Sequence, residues 1–352
     1  MRNLEFEVAS ASDSAGILAL LEKCSAKGPA RIVYTRRPDA YASYQREAPD
    51  TRVFVWRNDS NVAGVVAALT RDYHIGDQVL RGTYIGGLKK DPDEKTRLDL
   101  ASAFGTVADT GADFVYCSVV TANLGIVQAF QTGRRVPAAV RALGGMTTML
   151  IQSGGHGCVR PGRIFRQAGE SDELSLREFY DRLAGTVGLF PTGVPWKQSA
   201  GLDMGDFYVS TSHDGRVLAA GALWDQTDYR QYIVDAYGWQ LKLARALNPV
   251  ISLLGYPSLP RPKAVVAMPM ACFLMAEPGE EEPIVAGLIR ASRDLGYAQM
   301  IAGHAHSSPF HAVLSARRHI SYESVIYQVL PSGATTAPPD ISDIAGIQCA
   351  YL

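Results

Sequence analysis

The chain has 352 residues, 47% hydrophobic and 20% charged, a globular composition that excludes wholesale disorder and fibrous repeats. At about 150 residues per domain there is room for two domains. Thirty-four Lys and Arg balance 35 Asp and Glu, so no bulk charge is present to hold a nucleic acid or an anionic membrane, and only a local basic patch is left open.

Glu5 and Glu7 alternate with Leu4, Phe6 and Val8, the pattern of a half-buried strand. Ser10 and Ser12 then offer N-cap hydroxyls to a helix whose apolar stripe is Ile17, Leu20, Leu21 and Cys24. Val53 to Trp56, the polar tip Asn58 to Asn61, and Val62 to Val66 read as a hairpin. Next come a strand from Thr83 to Lys90, Pro92, and a helix carrying Leu100, Phe104 and Val107. A buried strand from Asp113 to Val120 and a short helix from Asn123 to Gln131 follow.

The second half repeats this order. The hairpin FVWRNDSNVAGVVAALTRDY (Phe54 to Tyr73) aligns loosely with YVSTSHDGRVLAAGALWDQTDY (Tyr208 to Tyr229). A strand at Ala271 to Met275 leads to a helix with Ile284, Leu288, Ala291 and Leu295 on one face. A strand at Gln299 to Ala302, a helix from Pro309 to Arg318 and an alternating strand from Ile320 to Leu330 complete it. Two runs of β-α-β-β-β-α-β-α-β indicate a duplicated α/β (α+β) unit: 1–153, a glycine-rich linker at 154–170, and 171–352. The second unit is lengthened by an insertion near 238–261, a candidate lid or dimer contact or, in preference, a simple surface excursion, and the last residues IAGIQCAYL are placed to return onto the other unit.

Three stretches resemble the GNAT superfamily of N-acyltransferases in its tandem form. YIGGLKKDPDEKTRLDLASAF (Tyr84 to Phe104) is similar to the family's fourth strand and the helix that receives acyl-CoA. Asn123 with Phe130 is similar to its Asn-then-Tyr pattern, and TRRPDAY (Thr35 to Tyr41) to an early Arg-x-Pro-Asp-aromatic stretch. The resemblance implies two GNAT-like domains, each a mixed, mostly antiparallel sheet with helices on both faces. It also implies acetyl transfer from acetyl-CoA to a small-molecule amine. Pantetheine would lie along the fourth strand at Gly87, Leu88 and Lys89, and Lys95, Thr96, Arg97 and Asn123 would serve the cofactor further along. Asp72, Tyr73 and Tyr116 are the candidate base and acid, with Cys117 a further substitute.

The chain departs from the family's pattern in three places. The phosphate loop Lys95-Thr96-Arg97 has no glycine, and Phe130 stands where a tyrosine hydroxyl is expected, with Ser315 in the second copy. Glu280, Glu281 and Glu282 place carboxylates where a pyrophosphate would sit in the second copy, so acyl-CoA is expected in the first. These departures support the alternative of a GNAT-fold binding or regulatory protein without catalysis.

His304, His306, His311 and His319 are weighed as a metal site and, in preference, as hydrogen-bonding groups of the second cleft; no metal is expected. Tyr229, Tyr232 and Tyr237 form either a substrate-side wall or a packed sheet edge. No segment approaches the roughly 18 unbroken apolar residues of a membrane span. The five scattered cysteines include no CxxC pair, which fits a reducing, cytoplasmic setting. The expected partners are therefore a small-molecule amine and a possible second copy, with no nucleic acid and no membrane.

Overall fold

The computed structural model describes residues 4–26, 30–59, 61–99, 103, 105–107, 111–132, 139–153, 163–193, 201–254, 258–330 and 339–352. Expectations for Leu100, Phe104, the glycine-rich join at 154–162 and the stretch 331–338 lie outside these residues.

In the first half the strands are β1 (Glu5–Val8), β2 (Ser25–Ala26), β3 (Ala30–Thr35), β4 (Asp50–Asn58), β5 (Asn61–Ile75), β6 (Gln78–Lys90), β7 (Phe114–Val120) and β8 (Ala139–Gln152). The helices are α1 (Ser14–Lys23), α2 (Ala40–Gln45) and α3 (Leu124–Thr132). The second half has β9 (Ile164–Gln167), α4 (Glu173–Ala184), β10 (Phe190–Pro191), β11 (Phe207–Thr211), β12 (Val217–Trp224) and β13 (Gln231–Tyr237). Then come α5 (Trp239–Ala246), α6 (Asn248–Leu253), β14 (Met270–Ala276), α7 (Glu281–Asp294), β15 (Gln299–Ala305), α8 (Pro309–Ser315) and β16 (His319–Leu330). Ile164–Gln167, assigned from sequence to the linker, is instead an edge strand paired with β11. Four residues with no long apolar run carry too little pattern to be read as a strand.

One sheet runs through both halves in the order β1-β4-β5-β6-β7-β16-β8-β15-β14-β12-β11-β9. Each half contributes a GNAT-like unit with a parallel central pair, β6–β7 in one and β14–β15 in the other, and antiparallel neighbours. The last strands are exchanged. β16, from the second unit, pairs with β7 of the first, and β8, from the first, pairs with β15 of the second. The two exchanged strands are hydrogen-bonded to each other from His319↔Ile151 to Leu330↔Ala139. The units are thus bound through their backbones, and neither sheet is complete without the other's final strand.

Helices cover both faces. Ile17, Leu20 and Leu21 of α1 are buried as their spacing predicts, and so are Ile284, Leu288 and Ala291 of α7. Leu295 is exposed, because α7 ends at Asp294 and leaves Leu295 as its C-cap. A smaller sheet, β13-β3-β2, joins the halves again, through register Gln231↔Thr35 to Tyr237↔Ala30.

Candidate active site

The first unit's parallel strands stay together from Gly82↔Phe114 to Ile85↔Cys117 and then part. Two glycines sit at the parting. Gly87 has φ +67, a left-handed conformation costly for a residue with a Cβ, and a Cβ there would stand 2.9 Å from the Tyr44 hydroxyl. A Cβ on Gly86 would stand 2.4 Å from the Tyr84 ring. A register shift at Val65/Ala67 marks the same bulge on the β5 side. Beyond the parting Gly87 and Leu88 are exposed, so the edge of β6 that faced β7 is left for a ligand.

The second unit diverges sooner, with a single parallel pair, Met270↔Ile301. Its bulge places Phe273 at φ +53. Here the cleft is filled from within. The chain end folds back and buries Ile344, Ile347, Cys349 and Tyr351. Gln348, 1% exposed, accepts from the Leu274 amide at 3.1 Å through its Oε1, and its Nε2 donates to the Leu274 carbonyl at 3.0 Å. A side-chain amide thereby satisfies the backbone that a ligand would have to pair with. Two of the three carboxylates at the start of α7 are paired locally as well: Glu280 with Arg163 and Glu282 with Arg317, and nearby Glu277 pairs with Arg182 and Arg216.

Between the two clefts lies a cavity of about 140 Å³. Tyr84 and Ser118 line it from the first unit, Thr148 and Ser324 from the exchanged strands, and Arg230 and Tyr232 from the segment after β12. Tyr84 and Ser118 are joined hydroxyl to hydroxyl at 2.7 Å. Burial raises the Tyr84 pKa, so its phenol keeps its proton at neutral pH. Cys349 also lines the cavity, and burial pushes its thiol up to about 12, leaving it a neutral thiol.

Arg230 is the cavity's charge. Its Nη1 lies 3.2 Å from Glu47, and its Nη2 donates to the Tyr232 hydroxyl at 3.4 Å and to the Leu352 carbonyl at 3.3 Å. The Glu47 carboxylate is shared with Arg36 at 2.8 Å, all three side chains being buried. Arg36 comes from the TRRPDAY stretch, which is structural. Asp39 caps α2 by accepting from the Ala42 amide at 2.9 Å, and Ser43 donates to the Tyr229 carbonyl at 2.6 Å across the two units.

The expected acid–base residues do not line this cavity. Tyr73 and Tyr116 are fully buried and bonded hydroxyl to hydroxyl at 2.6 Å in an aromatic cluster with Phe114. Asp72 alternates with Tyr73 on β5 and so faces outward, exposed. Cys117 is in the core, its thiol pushed up to about 12 by burial. Phe130 packs edge-on against Tyr327 of β16, centroids 5.0 Å apart, a position where a hydroxyl would be buried.

Gly87 and Leu88 are at the open edge of β6, and Lys89 is paired to Val65 beside them. Lys95, Thr96 and Arg97 precede the helix instead of forming its first turn; Glu94 holds this loop by accepting from the Thr96 amide at 2.6 Å and from Asn58 at 2.8 Å. Lys95 and Arg97 are exposed. Asn123 is exposed at the start of α3, its carbonyl accepting from Ile126 and Val127.

His304 does not bind from the second cleft. It is fully buried against Phe310, and burial pushes its pKa down to about 3. His306 and His311 instead converge on the Thr147 hydroxyl at 2.9 and 3.1 Å beside Glu323, on the face of β8 opposite Met146 and Thr148 of the cavity. Among the described residues no His, Cys, Asp or Glu group has the geometry of a metal site. No helix among them is long and apolar enough to cross a membrane.

No family model and no curated protein matches the sequence. Solved structures do match in fold. The glucosamine N-acetyltransferase region of a fungal multi-domain β-N-acetylglucosaminidase has TM-score 0.61 at 13% identity over 93% of this chain, which spans 38% of that protein. N-myristoyltransferase of Saccharomyces cerevisiae, with bound myristoyl-CoA, has TM-score 0.60 at 8% identity, covering 99% of this chain and 87% of that one. The chain has a GNAT fold. A probable N-acyltransferase from Enterococcus faecalis, TM-score 0.52 at 7% identity over 94% of this chain and 73% of its own, shares it. In GNAT terms β6 and β14 are the two fourth strands and β7 and β15 the two fifth strands, so one of the two strand divergences is open and the other is occupied by the chain itself.

The cavity residues Arg230, Thr148 and Ser324 escaped the sequence reading. Tyr232, expected in a substrate-side wall or a packed sheet edge, lines the cavity, whereas Tyr84 was marked only as the start of the stretch resembling the fourth strand. For Tyr84 the available signal was its position two residues before the Gly-Gly of the resembling motif.

Proposed function

We propose that the protein is an acyl-CoA-dependent N-acyltransferase that holds its donor in the first cleft and a small amine in the central cavity. One observation carries this reading: the β6–β7 divergence is open and leads toward a polar cavity, while the β14–β15 divergence is closed by Gln348. In this reading pantetheine pairs with the free edge at Gly87 and Leu88, beside Lys89. Lys95, Thr96 and Arg97 meet the phosphates, and Asn123 and the start of α3 flank the nucleotide. The amine nitrogen attacks the thioester carbon, the carbon–sulfur bond breaks, the Tyr84 phenol protonates the leaving thiolate, and the proton released by the amine nitrogen returns to the Tyr84 oxygen, so the phenol ends as it began. A cavity of about 140 Å³ suits an acetyl group and a small amine.

A second reading, acyl-CoA binding without transfer, is favoured by one feature. Among the described residues lining the cavity no side-chain carboxylate or imidazole stands ready to take the amine proton. Calorimetric titration with acetyl-CoA and myristoyl-CoA, followed by a free-thiol assay over a panel of small amines, separates the readings. Saturable acetyl-CoA binding with thiol release supports the enzyme, and binding with no release from any amine supports the second reading. No binding of either acyl-CoA at millimolar concentration overturns both.

A further inference from the structure

The insertion between β13 and β14 has a composition unlike the rest of the chain. From 236 to 276 it carries the cations Lys242, Arg245, Arg261 and Lys263 and not one Asp or Glu, whereas the whole chain is close to neutral. Its two helices, α5 and α6, present an apolar stripe to solvent: Trp239 is 70% exposed, Leu243 62%, Leu247 58%, Val250 52%, Leu253 87% and Leu254 52%. The Val250 and Ile251 amides donate to the Leu247 carbonyl and carry the winding from one helix into the next. At 3.6 residues per turn these six side chains share about a third of the helix circumference, so they form one surface and not six scattered exposures. Lys263 pairs with Asp235, but among the described residues Lys242, Arg245 and Arg261 have no ion pair.

We propose that α5 and α6 are an interfacial anchor that seats the protein on an anionic lipid surface. Large side chains this far exposed protrude from the body, and a protruding ridge enters a fluid apolar phase more readily than it docks a peptide, which needs a recess. A tryptophan and leucines on one side, with basic residues beside them, is the composition that lies in the headgroup region, apolar groups down and cations against phosphates. A second copy fits less well, since two such faces would bring like cations together with no carboxylate in either segment to offset them. None of these residues lines the central cavity, and the inference does not depend on acyl transfer.

The test is co-sedimentation of the full chain with vesicles of phosphatidylcholine, and of phosphatidylcholine with phosphatidylglycerol. Binding is expected only to the second, weakening as salt is raised, with a blue shift of Trp239 emission that Trp239→Phe removes. At the typical strength of a basic residue near an anionic surface, Lys242→Ala and Arg245→Ala should each weaken binding about fivefold. The Leu243→Glu/Leu253→Glu pair, both at exposed positions, should abolish binding while leaving the thermal midpoint unchanged. Failure to bind anionic vesicles, or binding that survives the Leu243/Leu253 pair, overturns the proposal. So does a wild-type dimer that the same pair converts to monomer, since the face would then be a contact between copies.

Discussion

Replacing Gln348 by alanine tests the reason the second cleft is closed. The substitution removes two hydrogen bonds, at 3.0 and 3.1 Å, from a site where Gln348 is 1% and Leu274 2% exposed. It leaves an amide and a carbonyl of β14 buried without partners, at about 1–3 kcal/mol for each group, so about 3 kcal/mol in all is a moderate expectation. At about 2.1 cal/mol/K per residue, unfolding a chain of 352 residues carries an entropy of about 0.74 kcal/mol/K, and that loss lowers the midpoint by about 4 °C. Urea unfolding read by circular dichroism gives the free energy, and calorimetry gives the midpoint. Gln348→Met keeps the volume without the polar groups and should fall nearly as far as alanine. If Gln348→Met is as stable as the wild type, the hydrogen bonds to Leu274 are not what holds the chain end in the cleft.

Glu47→Gln should destabilise the protein by about 3 kcal/mol in urea, because it leaves Arg36 and Arg230 buried beside a neutral amide; a change under a third of that would mean water already reaches the cluster. His304 titrates at about 6.5 in the unfolded chain and at about 3 in the fold, so between these values the unfolded state holds a proton that the folded state does not. Stability therefore falls as pH drops below that upper value, by about 2 kcal/mol from pH 7 to pH 5, and His304→Gln should remove this slope. Parallel stability–pH curves for the two proteins would refute that assignment. Lys95→Ala and Arg97→Ala should each weaken acetyl-CoA binding about fivefold at low salt, with a smaller loss at high salt, measured by calorimetry.

The order of elements was legible because each leaves a local mark: Ile17, Leu20 and Leu21 at helical spacing, Leu4 to Val8 at strand spacing, and a hairpin tip at Asn58 to Asn61. The strand exchange was not. β8 and β16 end their units in equivalent places, and nothing in either sequence says which of two similar edges it will join. The run at Glu280 to Glu282 was read as a repulsive field, and the fold pairs Glu280 and Glu282 with arginines. Its neutralisation by Arg163 and Arg317 was invisible because those partners lie 117 and 35 residues away in the chain. The cavity failed to appear for the same reason, since Tyr84, Thr148, Arg230 and Ser324 come from four distant segments. Tyr73, on the third strand, and Tyr116, on the fifth, were legible as candidate acid–base groups, but pattern alone does not separate a tyrosine that faces a cavity from one that faces its neighbour.

The proposed function requires that the first cleft accept an acyl-CoA and that the second, closed by Gln348, not do so. Hydrogen exchange with and without saturating acetyl-CoA reads both at once. Protection of the amides at Gly87 and Leu88, with Phe273 and Leu274 unchanged, is the result predicted. Protection of Leu274 with no change at Leu88 would place the ligand in the second cleft and contradict it.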